Sequence, residues 1–460
     1  MTVNGISWLK KEFTKVNLGD ERLNKRCQET VEKMALKPGK SIPHACEDWG
    51  STKGAYRFLS NKKVDREKIL RPHIEQTKKR CHQEDEVIAI HDVMYANFTN
   101  HESTTGLGPI GTAPHLRGLL VFNTLAVSLQ KKKALGFLYQ EVWARPKRGH
   151  APGETQHARR KRERESEVWP RGLSAVRSLG LKEVIHVSDR ESDIYEVLET
   201  ADREGQRYVI RSCRNRRMEK AGDYIWDAVR RGRLLGKMSV RVSARAGQKA
   251  REAQLSLRRA EVTIRPPSTV VGGAKNITLS VVEAIEEHAP RGSSALRWIL
   301  LTKEPTQTLS ACMRVVDIYS CRWKVEELHM GLKTGCSLEK RQMETREGLE
   351  SFLGLASVIS VMLLRMRDAA RGEGNWIHYL TEIQWICLRR RYPSLPPNPT
   401  VRDALRAVAR LGGFLARKGD GEPGWRTLWA GMEKLLFMEH GYLLALKRHP
   451  LLVGTPQICG

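Results

Sequence analysis

The sequence predicts an α/β protein: a mixed sheet with a β-rich insertion, flanked by small helical regions at both ends. Three observations predict it. Two apolar runs, VIAIHD ending at Asp92 and EVIHVSD ending at Asp189, read as buried strands that each close on an acid. Residues 237–301 alternate with period two between turn signals at Pro266-Pro267 and Gly272-Gly273. The first 70 residues and the stretch from Val401 to Leu446 carry apolar residues at helical spacing instead.

The elements follow in order. Helices are predicted over Trp8–Lys15, Asp20–Leu36 and Ser51–Leu59, with Asp20 as N-cap of the second and Pro38-Gly39 breaking the pattern. After VIAIHD, the segments Leu119–Leu129 and Leu135–Trp143 read as a hairpin turning at Lys131–Lys133. The charged stretch Arg145–Glu167 reads as a basic loop running into a helix that ends near Gly180. Strand Glu183–Asp189, helix Asp193–Thr200 and strand Arg207–Arg211 complete the order three strands, helix, strand, helix, strand, which suits a mixed sheet whose first three strands form a meander. In the insertion, strands are expected at Met238–Ser243, Ala253–Leu257, Glu261–Arg265, Ile277–Ala284 and Arg297–Thr302. One helix is expected from Leu309 through Lys333 and another over Leu349–Arg371. Pro393, Pro396, Pro397 and Pro399 mark a linker before a helical tail interrupted at Gly412-Gly413 and Gly419–Gly424. These breaks divide the chain at 1–70, 71–375 (insertion 237–301) and 376–460.

Charge narrows the function. The 79 Lys+Arg outweigh 52 Asp+Glu, for a formal charge of +27 and a pI near 9.9. Basic clusters recur at Lys78–Arg80, Lys131–Lys133, Arg159–Arg164, Arg214–Arg217, Arg230–Arg233 and Arg389–Arg391. Such an excess favours a polyanion, because each neutralised phosphate releases condensed counterions. An anionic membrane is the rival partner. The longest apolar run, Phe352–Leu364, is too short to span a bilayer, and Trp8–Lys15 is too charged for a signal peptide. The expectation is therefore a cytoplasmic protein bound to nucleic acid. Nine cysteines without a CxxC pair read as buried, reduced thiols and not as a zinc site.

The candidate chemistry centres on YSCRWKVEELHMGLK, residues 319–333. On one helix, Tyr319, Arg322, Glu326 and Lys333 fall at about 0°, −60°, −20° and −40°, a polar stripe that should face water or a charged ligand. A surface laced with ion pairs is the plain alternative. Asp92 and Asp189, at strand C-termini, occupy the sheet edge where ligands usually bind. With Glu326 they make three hard oxygen donors, suited to Mg²⁺ or Mn²⁺.

These residues carry a resemblance. Strand-Asp, strand-Asp, helix-Glu with a β insertion before the Glu is similar to the core of DDE transposases with a ribonuclease H-like fold. The signature Tyr319-x2-Arg322-x3-Glu326-x6-Lys333 resembles that of their insertion-sequence-four family. So do the flanking LGDERLNKR, GKSI, GAYRFLSN, SDRESDI, RWILLT, RVVDIYSCRW, KTG and ARLGGF, which together span most of the chain. The resemblance implies that Asp92, Asp189 and Glu326 bind two divalent metals. It implies that Tyr319, Arg322 and Lys333 hold DNA phosphate, that Trp298 serves a flipped base, and that Arg211 handles DNA beside the metals. Arg22, Arg26 and Lys40 align with an end-recognition module, and the C-terminal helices with a dimerisation region of a synaptic homodimer. The implied activity is cut-and-paste transposition: hydrolytic nicking, hairpin formation and reopening, then joining of the 3′ ends to target DNA. A DNA-binding inhibitor without catalysis and a metal-dependent nuclease are the alternatives. Four positions stand apart. His91 precedes the first acid, Gly331 interrupts the signature helix, and Asp193 and Glu327 are neighbouring acids: a capping or Arg-pairing role suits Asp193, and Glu327 points about 100° from Glu326, off the stripe.

Overall fold

The computed structural model describes residues 4–113, 115–146, 165–220, 222–242, 251–268, 270, 274–290, 294–370, 380–417 and 420–448. The strands are β1 (Val87–Asn97), β2 (Gly108–Pro109), β3 (Arg117–Ser128), β4 (Ala134–Trp143), β5 (Val184–Ser188), β6 (Arg207–Arg211), β7 (Leu234–Val242), β8 (Arg251–Ile264), β9 (Ile277–Glu286) and β10 (Arg297–Thr302). They form one sheet in the order β2-β3-β1-β5-β6-β10-β9-β8-β7, with β4 also paired to β3.

The half around β1 is the ribonuclease H-like core. β1, β3 and β4 make an antiparallel meander. Helix Val168–Ser178 then leads to β5, parallel to β1, and helix Tyr195–Arg203 leads to β6, parallel to β5. Every residue of β3 after Arg117 is buried, which is why the central strands read as apolar runs and not as alternating ones.

The insertion extends this sheet. β10 pairs with β6, Leu300 opposite Arg211, and β9, β8 and β7 follow outward. The expected segments Ala253–Leu257 and Glu261–Arg265 prove to be a single strand, β8. Arg251 to Arg258 pair with β7 and Leu255 to Ile264 with β9, so the charged residues between the two expected segments stay in the ladder. The Gly272-Gly273 turn, most of the Arg145–Glu167 stretch, Arg371 and Gly419 lie outside the described residues.

Asp20 caps helix Glu21–Leu36 by accepting from the Arg22 amide, and helix Trp49–Leu59 starts at Asp48. Helices Ile42–Cys46, Arg66–Cys81, Ile225–Arg231 and Glu382–Arg391 were not predicted. The second of these runs through Pro72 and crosses the boundary expected at 70/71. It is only weakly amphipathic, so periodicity conceals it. Helix Glu382–Arg391 announces itself by a capping box, Thr381 with Gln384. Helix Arg346–Ala370 is long and apolar enough to cross a membrane, yet 89% of its apolar window is buried inside the protein.

Helix Asn4–Phe13 is anchored to the core by a buried charge cluster. His73 Nδ1 lies 2.5 Å from Glu12 Oε2, and Arg80 donates to Glu12 Oε1 at 2.7 Å. His73 Nε2 accepts from the Phe137 amide of β4 at 3.1 Å, which assigns the ring proton to Nδ1. Close approach of the Arg66–Cys81 helix to β4 requires Gly136. Its φ is +146°, and a Cβ there would stand 2.1 Å from Thr77 Oγ1 and 2.9 Å from His73 Nε2. Gly136→Ala should therefore cost about 2–3 kcal/mol and lower the thermal unfolding midpoint by calorimetry, whereas Gly205→Ala, with open space around it, should lower it less.

Candidate active site

β1 and β5 are paired as far as His91 opposite Ser188. The next residue on each is an acid, so Asp92 and Asp189 emerge side by side where the strands part. β1 continues against β3, while β5 ends in a turn in which Asp189 Oδ1 accepts from the Glu191 amide at 2.9 Å. Asp92 is largely buried, and its Oδ1 accepts from the Val93 amide at 2.9 Å. Burial, reinforced by the nearby Asp189 charge and partly offset by Arg322, pushes the Asp92 carboxyl up to about 7.

Glu326 arrives on helix Trp323–Met330. The Arg322 guanidinium lies between the acids: one Nη pairs with Glu326 Oε1 and the other stands 3.7 Å from Asp92 Oδ2. Among the described residues no three Asp, Glu, His or Cys side chains already gather as an ion's ligands. The donor chemistry still fits a divalent cation. Two adjacent carboxylates, one of them resisting ionisation through burial and then through the charge of the other, are a pair that such an ion would neutralise.

The signature is not one helix. Helix Leu309–Ser320 tightens into i→i+3 bonds at Cys321 and Arg322, resumes as Trp323–Met330, and widens into a π-helical turn over Gly331–Gly335. Of the stripe expected to face water or a charged ligand, Tyr319 does not face water: it is 3% exposed. Trp298, from β10, covers it edge-on with ring centroids 5.3 Å apart. Burial first, opposed by Arg322 and Arg211, raises the Tyr319 hydroxyl above its ordinary range. Arg211, beside Tyr319, donates to the Arg297 carbonyl at 3.0 Å. Lys333 extends from the π turn to Glu339 at 3.1 Å and is half-buried. A Cβ at Gly331 would stand in ordinary contact with Ser360 of helix Arg346–Ala370, 3.4 Å from its Cβ, so the close packing of the π turn does not by itself require glycine there.

Asp92, Asp189, Glu326, Tyr319, Arg322, Trp298 and Arg211 thus converge. Arg22, Arg26 and Lys40 do not join them: their partners are Asp20, Glu29 and, on the C-terminal helix Trp425–Arg448, Glu433. Asp193 is fully occupied, accepting from the Cys213 and Arg214 amides and from Arg216. Glu327 pairs with Arg367 at 3.0 Å. His91 points to the face opposite Asp92, bonded to Thr124 and 2.8 Å from His186, so it is no ligand beside Asp92.

Two neighbours escaped the sequence reading. His329 Nδ1 lies 3.9 Å from Asp92 Oδ2, and its Nε2 is 3.0 Å from Asn123 Nδ2. The available signals were a His three residues after Glu326 and a lone Asn inside the apolar run LLVFNTLAV.

The raised Asp92 pKa makes a stability prediction. Below about 4 the carboxyl is neutral folded or unfolded, and its favourable contribution is lost as pH rises towards 7. In chelator, Asp92→Asn should therefore melt several degrees above the parent at pH 8, with the gain shrinking to nothing by pH 4, as scanning calorimetry across pH would register.

Comparison with known families agrees with this geometry. Residues 6–64 match the family described as Transposase DNA-binding, 155–363 the Transposase DDE domain, and 382–446 the Transposase Tn5 dimerisation domain. The DDE match includes Asp189 and Glu326 but begins beyond Asp92, whose place in the site rests on the strand register. Among solved structures, a piggyBac transposase synaptic complex with hairpin DNA is similar at TM-score 0.32 and 10% identity, over 85% of this chain and 63% of that one. This chain therefore spans less than two thirds of that relative's length. Three matched families in this order, covering most of the chain, place it among the DDE transposases: it belongs to the Tn5-like, insertion-sequence-four family.

Proposed function

We propose that this protein is a cut-and-paste DNA transposase that binds the terminal repeats of its element, excises it and joins its 3′ ends to target DNA. The observation that carries the reading is the juxtaposition of Asp92 and Asp189 at the parting of β1 and β5, with Glu326 tied to Asp92 through Arg322. Asp92, Asp189 and Glu326 would hold two Mg²⁺ or Mn²⁺ ions. When bound, such ions supply an activated attacking oxygen and a stabilised leaving one.

The chain's own side chains account for the rest. Arg322 offers a fork that can grip a phosphate bidentately, and Lys333, on the π turn that follows helix Trp323–Met330, adds a second cation. Tyr319, held against Trp298, points its hydroxyl into the same region as Arg211. The Trp298 indole suits stacking on an unpaired base. No side chain need become covalently attached to DNA: a nick frees a 3′-hydroxyl, which attacks the opposite strand to form a hairpin. Hydrolysis reopens the hairpin, and the same hydroxyl attacks target DNA. The formal charge of +27 supports a duplex DNA partner in the cytoplasm, at the nucleoid, and the Tn5-type C-terminal region supports a homodimer across two ends.

Excision of a donor fragment flanked by the gene's own inverted repeats, in Mg²⁺, tests the proposal. Asp92→Ala, Asp189→Ala and Glu326→Ala should each abolish cleavage and leave end binding in gel shifts nearly unchanged. Full cleavage by Glu326→Ala would overturn the metal assignment, while end binding without cleavage by the parent would indicate a non-catalytic inhibitor. Trp298→Ala should slow hairpin formation more than first-strand nicking in single-turnover assays; equal slowing would exclude a role with the flipped base.

A further inference from the structure

A row of buried polar side chains crosses the meander and ends at the active site. Asp92 on β1 is in register with Asn123 on β3, and Asn123 with Gln140 on β4, so all three project from one face. Asn123 and Gln140 are buried. An unpaired buried amide is costly, so apolar residues would serve the core better there. These amides are instead linked. Gln140 Nε2 donates to Asn123 Oδ1 at 2.8 Å and to Ser357 Oγ at 2.9 Å. With its oxygen so engaged, Asn123 turns its Nδ2 to His329 Nε2, 3.0 Å away. Nε2 must then be the acceptor and the ring proton sits on Nδ1, the atom 3.9 Å from Asp92 Oδ2.

Turning both amides around would bury an unpaired Gln140 NH₂ and aim an imidazole lone pair at the carboxylate. The orientation present leaves only the Gln140 carbonyl oxygen without a partner, the cheaper omission.

We propose that His329 is a positioning residue for Asp92, its Nδ1–H aimed at Oδ2 by the Asn123–Gln140–Ser357 row while the Val93 amide holds Oδ1. At 3.9 Å the N–H acts on the carboxylate as a directed dipole, not as a hydrogen bond. This rests on the reading of Asp92 as a metal ligand. It gives the polar row a purpose that sheet stability does not, and resembles the outer-shell donors that orient ligating carboxylates elsewhere.

Two substitutions separate positioning from packing. His329→Gln can reach Asn123 from the Nε2 position but has no donor at Nδ1; His329→Asn places an amide at Nδ1. Mn²⁺ binding to the DNA-free protein by calorimetry should weaken about 10–100-fold in His329→Gln and stay within about threefold of the parent in His329→Asn. Mg²⁺-dependent nicking should follow the same order in kcat, with KM for end DNA unchanged. Equal losses in both variants, or none in His329→Gln, would overturn the inference while parental binding and cleavage keep the functional reading intact. A parent that neither binds Mn²⁺ nor nicks DNA would overturn both.

Discussion

The parallel pairing of β1 with β5 is the constraint on which the site depends. It ends at His91 and Ser188, and the residues that follow are both acids. Hydrogen bonding between strands thereby forces two carboxylates together at the edge where the sheet opens, against their mutual repulsion. Burial first, and then the second charge, raise the Asp92 pKa. Two carboxylates placed this way are positioned by the strand ladder itself.

Everything else is arranged around that edge. The β-rich insertion continues the sheet past β6, so β10 delivers Trp298 to the ring of Tyr319. The break between helices Leu309–Ser320 and Trp323–Met330 lets Arg322 reach both Asp92 and Glu326. Behind the site, the π turn and Gly331 rest on the buried helix Arg346–Ala370, which also contributes Ser357 to the polar row. On the far side, Glu12, His73 and Arg80 bind the N-terminal helix to the core through paired buried charge. Lys40 meets Glu433, so the N-terminal module also touches the C-terminal helix.

Strand content and order were legible because burial on both faces writes continuous apolar runs, and because Asp92 and Asp189 punctuate two of them. The tail helices and the Asp20 cap were legible for equally local reasons. Helix Arg66–Cys81 was not, since Pro72 and a polar, weakly periodic face hide a segment whose stability comes from packing on β4. Nor was the unity of β8, because a strand paired on different sides along its length carries charges that resemble a turn.

The signature region shows most clearly where reading a chain stops. Residue types and intervals alone singled out Tyr319, Arg322, Glu326 and Lys333, since four polar groups at those spacings are too costly to bury without purpose. Which way each one points was decided by packing. Trp298 buries Tyr319 from a strand 21 positions away, a π turn shifts Lys333, and Asn123 orients His329 across a strand pairing. Local chemistry is written residue by residue along the backbone, but a side chain's partner depends on which distant surface packs against it, and only the folded sheet supplies that surface.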